Sequence, residues 1–343
     1  MFDIDTRRDS QATPVISRRN FLVTTAAAIA APTGTTHAAP ERGKAQIAIT
    51  LDLEMSRMYP QRDIMEWDFQ KGNLNEETKK YSLDAAKVAS ELGGVIHYFC
   101  VGRVLEQPDV NWLKEIHELG HPIGNHTYDH VNVWTKNPEE VQFRFKRSPW
   151  LINGMSVPDI LKTNIRLTSL AMKQRLGFGP DGFRTPGGSY LALDGREDLQ
   201  QLMLDEGFSW VSSKYPQHAY SKAGEEPTAE TFSSIVNAMQ EAQPYRYPTG
   251  LIEVPMSPIS DVGAFRTSRW KREYFLKSIQ QCVEWAIEHG AVFDFLCHPS
   301  IMYVEDSDFE VIKLICQLVK DAGDKAEIVG LSEIAKRAIN APT

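Results

Sequence analysis

The sequence has 343 residues, of which 42% are apolar and 24% are charged, and its formal net charge is −8. This composition is typical of a globular protein, and α/β barrels often reach this length as one domain. The acidic balance gives no electrostatic support for a nucleic-acid partner.

The first 38 residues predict an export signal. Arg18 and Arg19 stand in the pattern Ser-Arg-Arg-x-Phe-Leu, which is typical of twin-arginine signals. The apolar stretch that follows is too short to span a bilayer, and it ends at Ala38 in a small-x-small cleavage pattern. We therefore expect residues 1–38 to be a signal peptide and residues 39–343 to form a single domain. The mature protein is expected to be periplasmic or secreted, without a membrane anchor.

After the signal, short apolar runs alternate with longer amphipathic ones. Runs such as "AQIAITLDLE", "GVIHYFCVG" and "AVFDFLCHP" predict buried strands, and "YSLDAAKVASELGG" predicts a helix. Seven or eight such repeats indicate a parallel sheet covered by helices. Because the length suits a barrel and no P-loop motif is present, we expect a closed (β/α) barrel rather than an open doubly wound sheet.

Polar side chains stand where the predicted strands end, the face at which barrels place their active sites. Asp52 and Glu54 leave the first strand two residues apart, so on an extended strand both point the same way. Two carboxylates in a barrel mouth are costly unless a cation is near. His126 and His130 follow the third strand, and a helical turn would let both imidazoles reach one metal ion. Two histidines and one carboxylate are a known zinc ligand set, although two surface histidines are the alternative.

Other candidates follow other strands. Arg184, in "GFRTPGG", is placed to pair with a carboxylate, and Gly187 lets a backbone N–H approach a ligand closely. His298 ends a later strand and is a candidate general acid, because the pKa of an imidazole lies near neutral pH. His97 points either into the barrel or toward the helices. His121, beside a helix end, is expected to be solvated.

These pieces, in this order, resemble the polysaccharide deacetylase family, the NodB-homology carbohydrate esterases. Thr50-Leu51-Asp52 resembles the start of the family's Thr-Phe-Asp-Asp motif, with the second acid delayed to Glu54. The motif His-(Ser/Thr)-x-x-His is matched by residues 126–130, and Arg-x-Pro-x-Gly is matched by residues 184–188. Leu296-Cys297-His298 resembles the closing Leu-x-His motif.

The resemblance implies a distorted (β/α)7-8 barrel, the NodB-homology fold, and a hydrolase that uses a divalent metal, most often Zn²⁺. It implies three metal ligands: Glu54, His126 and His130. Asp52 would be the base that activates water, and Arg184 would orient it. The backbone N–H of Gly187 would stabilise the oxyanion, and His298 would protonate the leaving amine. The implied partner is an N-acetylated glycan, with an O-acetylated glycan as the second choice.

Departures from the family pattern leave alternatives open. Because the first motif is Asp-x-Glu, the roles of Asp52 and Glu54 can be exchanged. The region "FSWVSSKYP" lacks the acid that often supports the arginine, so Arg184 is expected to lack a second partner and Trp210 to wall the pocket. Relatives with an Asp-x-acid motif include hydrolases of linear or cyclic amides. A carbon–nitrogen hydrolase of small amides is therefore the main alternative, and a non-catalytic glycan-binding protein is another.

The long segment 55–80 follows the first strand, a position at which loops are commonly functional. It carries Met58, Tyr59 and Trp67. These side chains either form a wall against sugar rings or pack beneath the loop.

Overall fold

The computed structural model of this chain describes residues 43–63 and 71–340. The predicted signal, residues 1–38, and Trp67 of the long segment lie outside the described residues. Within these two stretches, no helix is both long enough and apolar enough to cross a membrane.

The described residues contain nine strands in one sheet. The strands are β1 Ala45–Leu53, β2 Ile96–Cys100, β3 Ile123–Asn125, β4 Phe183–Ser189, β5 Trp210–Lys214, β6 Tyr245–Arg246, β7 Ile252–Glu253, β8 Val292–Cys297 and β9 Ala326–Ile328. Their order across the sheet is β6-β7-β5-β4-β3-β2-β1-β8, and β9 pairs with the start of β1. Each pairing is parallel except that of β6 with β7.

Helices connect most of these strands. In the same described residues, the α-helices are α1 Glu76–Glu91, α2 Asn111–Glu118, α3 Phe143–Arg147, α4 Val157–Leu176, α5 Glu197–Asp205, α6 Ala229–Asn237, α7 Arg272–His289, α8 Pro299–Glu305, α9 Glu310–Ala322 and α10 Leu331–Asn340. Of these, α8 and α10 were not predicted, and neither was the antiparallel strand β6.

Local signals explain where helix α4 begins and ends. The Ser156 hydroxyl accepts the N–H of Asp159, and the Asp159 carboxylate accepts the N–H of Ser156, each at 3.3 Å. This capping box satisfies two N–H groups that the first turn of a helix leaves without partners. Gly177 ends the helix with φ 91°, a left-handed conformation that glycine adopts without steric cost.

The sheet curls so that β7 and β8 come together without pairing as strands. The segment that follows β7 bridges this seam, because the N–H of Ser257 donates to the carbonyl of Asp294 on β8 at 2.8 Å. The predicted distorted (β/α) barrel is therefore confirmed, with a seam bridged by the segment after β7 rather than by a strand ladder.

Strand β1 is buried at every position, as its largely apolar start predicts for a parallel strand with both faces covered. The interior also holds charge. Arg184 on β4 is fully buried, and its guanidinium lies 4.3 Å from the centre of the Phe99 ring, within cation–π range. The carboxyl ends of β1, β3 and β8 bring further ionisable side chains to one mouth of the barrel.

Candidate active site

Strand β1 delivers two carboxylates to this mouth. The strand ends at Leu53, and the N–H of Glu54 turns back to donate to the carbonyl of Asp52 at 2.9 Å. Both acids are nevertheless buried and face one imidazole. Asp52 Oδ2 lies 3.7 Å and Glu54 Oε2 lies 3.6 Å from Nε2 of His126. The two carboxylates thus converge through a turn, and not along an extended strand.

His126 and His130 also converge through a loop, and not through the helical turn that their spacing predicts. Thr127 and His130 have left-handed backbone conformations, with φ 58° and 55°, which are uncommon for residues with a side chain. Asn125 Oδ1 accepts the N–H of Thr127 at 2.8 Å, and Thr127 Oγ1 accepts the N–H of Val131 at 3.0 Å. These bonds hold the imidazole centroids 5.0 Å apart.

Glu54, His126 and His130 form a group whose ligand atoms all lie within 4.8 Å of one another. Nε2 of His130 is 2.7 Å from Oε2 of Glu54. That oxygen is buried and has no hydrogen-bond partner of regular geometry, which is uncommon for a polar atom inside a protein. Two imidazole nitrogens and one carboxylate oxygen are donors that Zn²⁺ accepts. These three side chains therefore fit a divalent metal.

The protonation states of the three side chains also suit a metal. Nδ1 of His126 donates to the carbonyl of Arg184 at 2.9 Å, so the tautomer leaves the Nε2 lone pair directed into the site. Burial lowers the pKa of His130 to about 4, which keeps its ring neutral at neutral pH. Burial alone would raise the pKa of Glu54, but the neighbouring His130, Lys71 and His126 hold it well below its usual range.

Arg184 connects the site to the far side of the barrel. Its Nη1 donates to Asp52 Oδ1 at 3.1 Å and to Thr50 Oγ1 at 2.7 Å. Its Nη2 donates to Asp294 Oδ2 at 2.5 Å, and β5 contributes only the hydroxyl of Ser212 at 3.2 Å. The expectation that Arg184 lacks a second partner is therefore wrong. The curl of the sheet brings β8 close enough for Asp294 to supply the carboxylate that β5 lacks.

His298 follows β8, and its partner is Asp261, which the sequence analysis missed. Nδ1 of His298 donates to Asp261 Oδ1 at 3.0 Å, and its backbone N–H donates to Oδ2 at 2.5 Å. Burial alone would lower the pKa of His298, but the carboxylates of Asp261, Glu54 and Asp52 together outweigh burial and raise it. Nε2 of His298 lies 3.6 Å from Oε1 of Glu54. An acid that follows the buried run "LIEVPMSPIS" was the available signal.

Lys71 is a second residue that the sequence analysis missed. Its Nζ donates to Oε1 of Glu54, and both side chains are only 3% exposed. The long segment 55–80 offered no periodicity from which this contact could be predicted.

Gly187 lies at the exposed rim of the mouth, with φ 80°, a conformation that favours glycine. Regular pairing of β4 with β5 is interrupted between Arg184 and Ser189, so the backbone turns there. A cavity of about 270 Å³ adjoins this rim, and Gly187 and His130 both line it. Aromatic side chains also line this cavity: Trp134 and Phe143.

Trp210 does not wall this pocket, and that prediction is corrected. It is the first residue of β5, so it lies at the amino-terminal end of the barrel, away from the mouth. Its indole N–H donates to Ser332 Oγ at 3.1 Å, and its ring packs edge-on against His97 at 5.6 Å. Nε2 of His97 donates to the carbonyl of Asp181 at 2.8 Å, and its Nδ1 accepts the N–H of Leu331 at 3.2 Å.

Two further side chains are buried for reasons that the sequence does not reveal. Tyr59 is 2% exposed and donates to Glu305 Oε1 at 2.5 Å, so it packs beneath the long segment and presents no face to a sugar. His121 is 1% exposed, and its Nδ1 accepts the N–H of Ile96 at 2.9 Å. The expectation that His121 is solvated is therefore wrong.

Known proteins resemble this chain in sequence over one segment and in fold over most of its length. Residues 77–205 match the family model for polysaccharide deacetylases. That segment contains His126, His130 and Arg184, whereas Asp52, Glu54 and His298 lie outside it. No curated protein gives a significant sequence match to the chain.

Two solved structures have a similar fold, and both are provisionally named polysaccharide deacetylases. The protein from Mycobacterium smegmatis is 15% identical, with a TM-score of 0.55, and the match covers 88% of this chain and 92% of that one. The protein from Pseudomonas aeruginosa PAO1 is 12% identical, with a TM-score of 0.56 and coverage of 87% and 91%. At these identities, the likeness establishes the fold alone.

Proposed function

We propose that the chain is a member of the polysaccharide deacetylase family, hydrolases of amide or ester bonds in acetylated glycans, and that it removes acetyl groups from an N-acetylated glycan with a divalent metal. One observation carries this proposal. The group formed by Glu54, His126 and His130 lies between two further side chains. One is the carboxylate of Asp52, which Arg184 holds, and the other is the imidazole of His298, which Asp261 holds. Such a site has a proton acceptor and a proton donor at the same centre.

Glu54, His126 and His130 would hold the metal, and their donor set favours Zn²⁺. When bound, such a metal supplies Lewis acidity toward the acetyl carbonyl and toward water. Glu54 is the better ligand of the two acids, because its Oε2 faces both imidazoles at 2.7 and 3.6 Å. Asp52 instead points one oxygen at Arg184 and the other toward the centre.

Asp52 would take the proton from the attacking water. Its Oδ1 is fixed by Arg184, which leaves Oδ2 as the proton acceptor in a defined position. The N–H of Gly187, at the rim beside His130, would donate to the oxyanion of the tetrahedral intermediate. Such donors act most strongly when they are held in place before the reaction, as the backbone of β4 allows.

His298 would protonate the leaving nitrogen. Asp261 accepts from Nδ1 of this ring and raises its pKa, so the imidazolium form, which carries the proton on Nε2, persists to a higher pH than it does in a free histidine. An amine leaves readily only when it is protonated, whereas an alcohol leaves with less help. An acid with this support therefore favours the N-acetyl over the O-acetyl substrate.

The cavity beside His130 and Gly187 supports a sugar as the attached group. It is open to the mouth and lined by Trp134 and Phe143, whose ring faces suit the apolar face of a sugar, and by the polar side chains of Glu140 and Gln142. A small amide substrate has no sugar ring to fill this cavity. Hydrolysis of small amides is therefore the less supported alternative.

The test is to measure bound metal and acetate release together, using N-acetylglucosamine oligomers as the substrate. We expect Zn²⁺ at about one equivalent per chain, acetate release that a chelator abolishes, and loss of both in His126→Ala. His289→Ala, an exposed histidine at the end of α7, is the matched control and should change neither. Metal without acetate would favour the amide alternative, and a chain that neither binds Zn²⁺ nor is inhibited by chelator would overturn the ligand assignment.

Export by the twin-arginine pathway is a separate proposal that rests on the sequence alone. The pair Arg18 and Arg19 is the part of the signal that the export machinery requires. Replacing both with lysine should leave the full-length chain in the cytoplasm of a host that carries this pathway. Unimpaired processing and export of that variant would refute the proposal.

A further inference from the structure

Glu54 already has a cationic partner from this chain. Lys71 Nζ donates to Oε1, and each side chain is 3% exposed, so solvent does not screen the pair. The two oxygens of the carboxylate are therefore used differently. Oε1 bonds to Lys71 and lies 3.6 Å from Nε2 of His298, whereas Oε2 faces the Nε2 atoms of His130 and His126.

The position of Lys71 is fixed by the backbone at Lys71 itself and at the residue that follows it. Its carbonyl accepts the N–H of Met55 at 3.0 Å, which ties it to the residue after Glu54. The next residue, Gly72, lies so close to Arg103 that a Cβ there would come within 2.3 Å of the Arg103 Cβ. The lysine stem therefore enters the site from a segment held at two points, and its contact with Glu54 is built into the fold.

A metal at this centre would share Glu54 with Lys71. With Oε1 taken by the ammonium group, the carboxylate can offer only Oε2, so it binds in a monodentate manner. A cation on the same carboxylate also repels a dication and withdraws electron density from the ligand oxygen. Both effects weaken metal binding. In the absence of metal, the same pair keeps the buried carboxylate from standing without a counter-charge.

We propose that Lys71 is a positioning residue that holds Glu54 by one oxygen, confines a metal to the other, and keeps metal binding weak enough to be reversible. The inference rests on the proposed function, because it assumes that Glu54 is a metal ligand. It goes beyond the proposed function because it assigns a role at the metal centre to the ammonium group of Lys71. With a metal bound, the metal and Lys71 would compete for the Glu54 carboxylate. Without a metal, the carboxylate stays paired with Lys71.

The experiment compares Zn²⁺ affinity in the wild type, Lys71→Met and Lys71→Gln by competition with a chromophoric chelator. Both variants remove the positive charge, and the glutamine keeps a hydrogen-bond donor for Glu54 if the methionine variant does not fold. We expect both to bind Zn²⁺ at least about tenfold more tightly than the wild type, because the repulsion between the ammonium group and the metal is removed. Thermal unfolding provides a second measurement: without metal, Lys71→Met should be less stable than the wild type, and Zn²⁺ should raise its Tm by more.

The charge-retaining variant Lys71→Arg should have wild-type affinity, and Lys173→Met, on the outer helix α4, is the matched control for losing a lysine. Equal or weaker Zn²⁺ binding in Lys71→Met and Lys71→Gln would overturn the inference and leave the proposed function intact. If neither the wild type nor any variant binds Zn²⁺, the proposed metal-dependent function fails, and this inference fails with it.

Discussion

The two ends of the barrel hold the same kinds of side chain in different arrangements. At the carboxyl end, Asp52, His126 and Glu54 converge on one another, and a buried oxygen of Glu54 has no regular hydrogen bond. At the amino end, both ring nitrogens of His97 have backbone partners, and the Asp181 carboxylate accepts the hydroxyl of Ser332. The two histidines, His97 and His126, are equally deeply buried.

The difference shows what makes a buried histidine functional. A ring whose two nitrogens both bond to the backbone has no lone pair or proton left for a ligand, so His97 connects β2 to the start of α10. Only Nδ1 of His126 bonds to the backbone, and its Nε2 faces the carboxylate of Glu54. The distribution of hydrogen bonds, and not burial or the pKa, separates the site from the structural cluster.

The largest expected effect comes from replacing one carboxylate with an amide at each end of the barrel. Asp52→Asn should lower kcat by about 10²–10⁴-fold, because an amide cannot accept the proton from water. Its Zn²⁺ content should stay unchanged. Asp181→Asn, the matched change at the amino end, should leave kcat unaffected. If Glu54→Gln keeps the metal and loses turnover while Asp52→Asn loses the metal, the two acids have exchanged roles.

The second-largest expected effect tests whether proton donation by His298 depends on the carboxylate of Asp261. Asp261→Asn should lower kcat on N-acetyl substrates by roughly 10- to 100-fold, because His298 loses the charge that raises its pKa. The loss should be smaller on an aryl acetate, whose leaving group needs no proton. The leaving-group dependence is read from the ratio of the two kcat values. An equal loss on both substrates would indicate a structural role for Asp261 instead.

The sequence predicted those features of the site that lie within one local pattern. The motif at 126–130 and the arginine at 184 each follow a recognisable strand, and the β/α alternation places both at one face. Asp261 and Lys71 lie in irregular segments, and Asp294 lies 110 residues from the arginine it binds. Such contacts depend on how the sheet curls. Trp210 was misplaced because the sequence pattern of a short strand does not define its first residue, and Trp210 is the first residue of β5.

A smaller effect is expected on the free energy of unfolding, and it comes from His97 at the amino end of the barrel. Burial lowers the pKa of His97 from its usual 6.5 to about 4, so between these values the unfolded chain binds more protons than the folded one. Stability is therefore complete above about pH 6.5 and is lost as the pH falls toward 4, by roughly 3 kcal/mol for this residue. His97→Gln should flatten that part of the dependence of unfolding free energy on pH, as measured in denaturant. Turnover at neutral pH should be unchanged, and a lowered kcat would place His97 in the catalytic machinery.

The smallest effect compares one tryptophan at each end. Trp134 lines the cavity beside the mouth, so Trp134→Ala should raise KM for N-acetylglucosamine oligomers by about fivefold, equivalent to ~1 kcal/mol, with little change in kcat. The increase should vanish for a small aryl acetate, which does not reach the cavity. Trp210→Phe removes the hydrogen bond to Ser332 and should cost about 1 kcal/mol of stability without changing KM. If KM rises with Trp210→Phe and not with Trp134→Ala, the glycan binds somewhere other than this cavity, because only a contact made in the bound state can change KM while kcat stays constant.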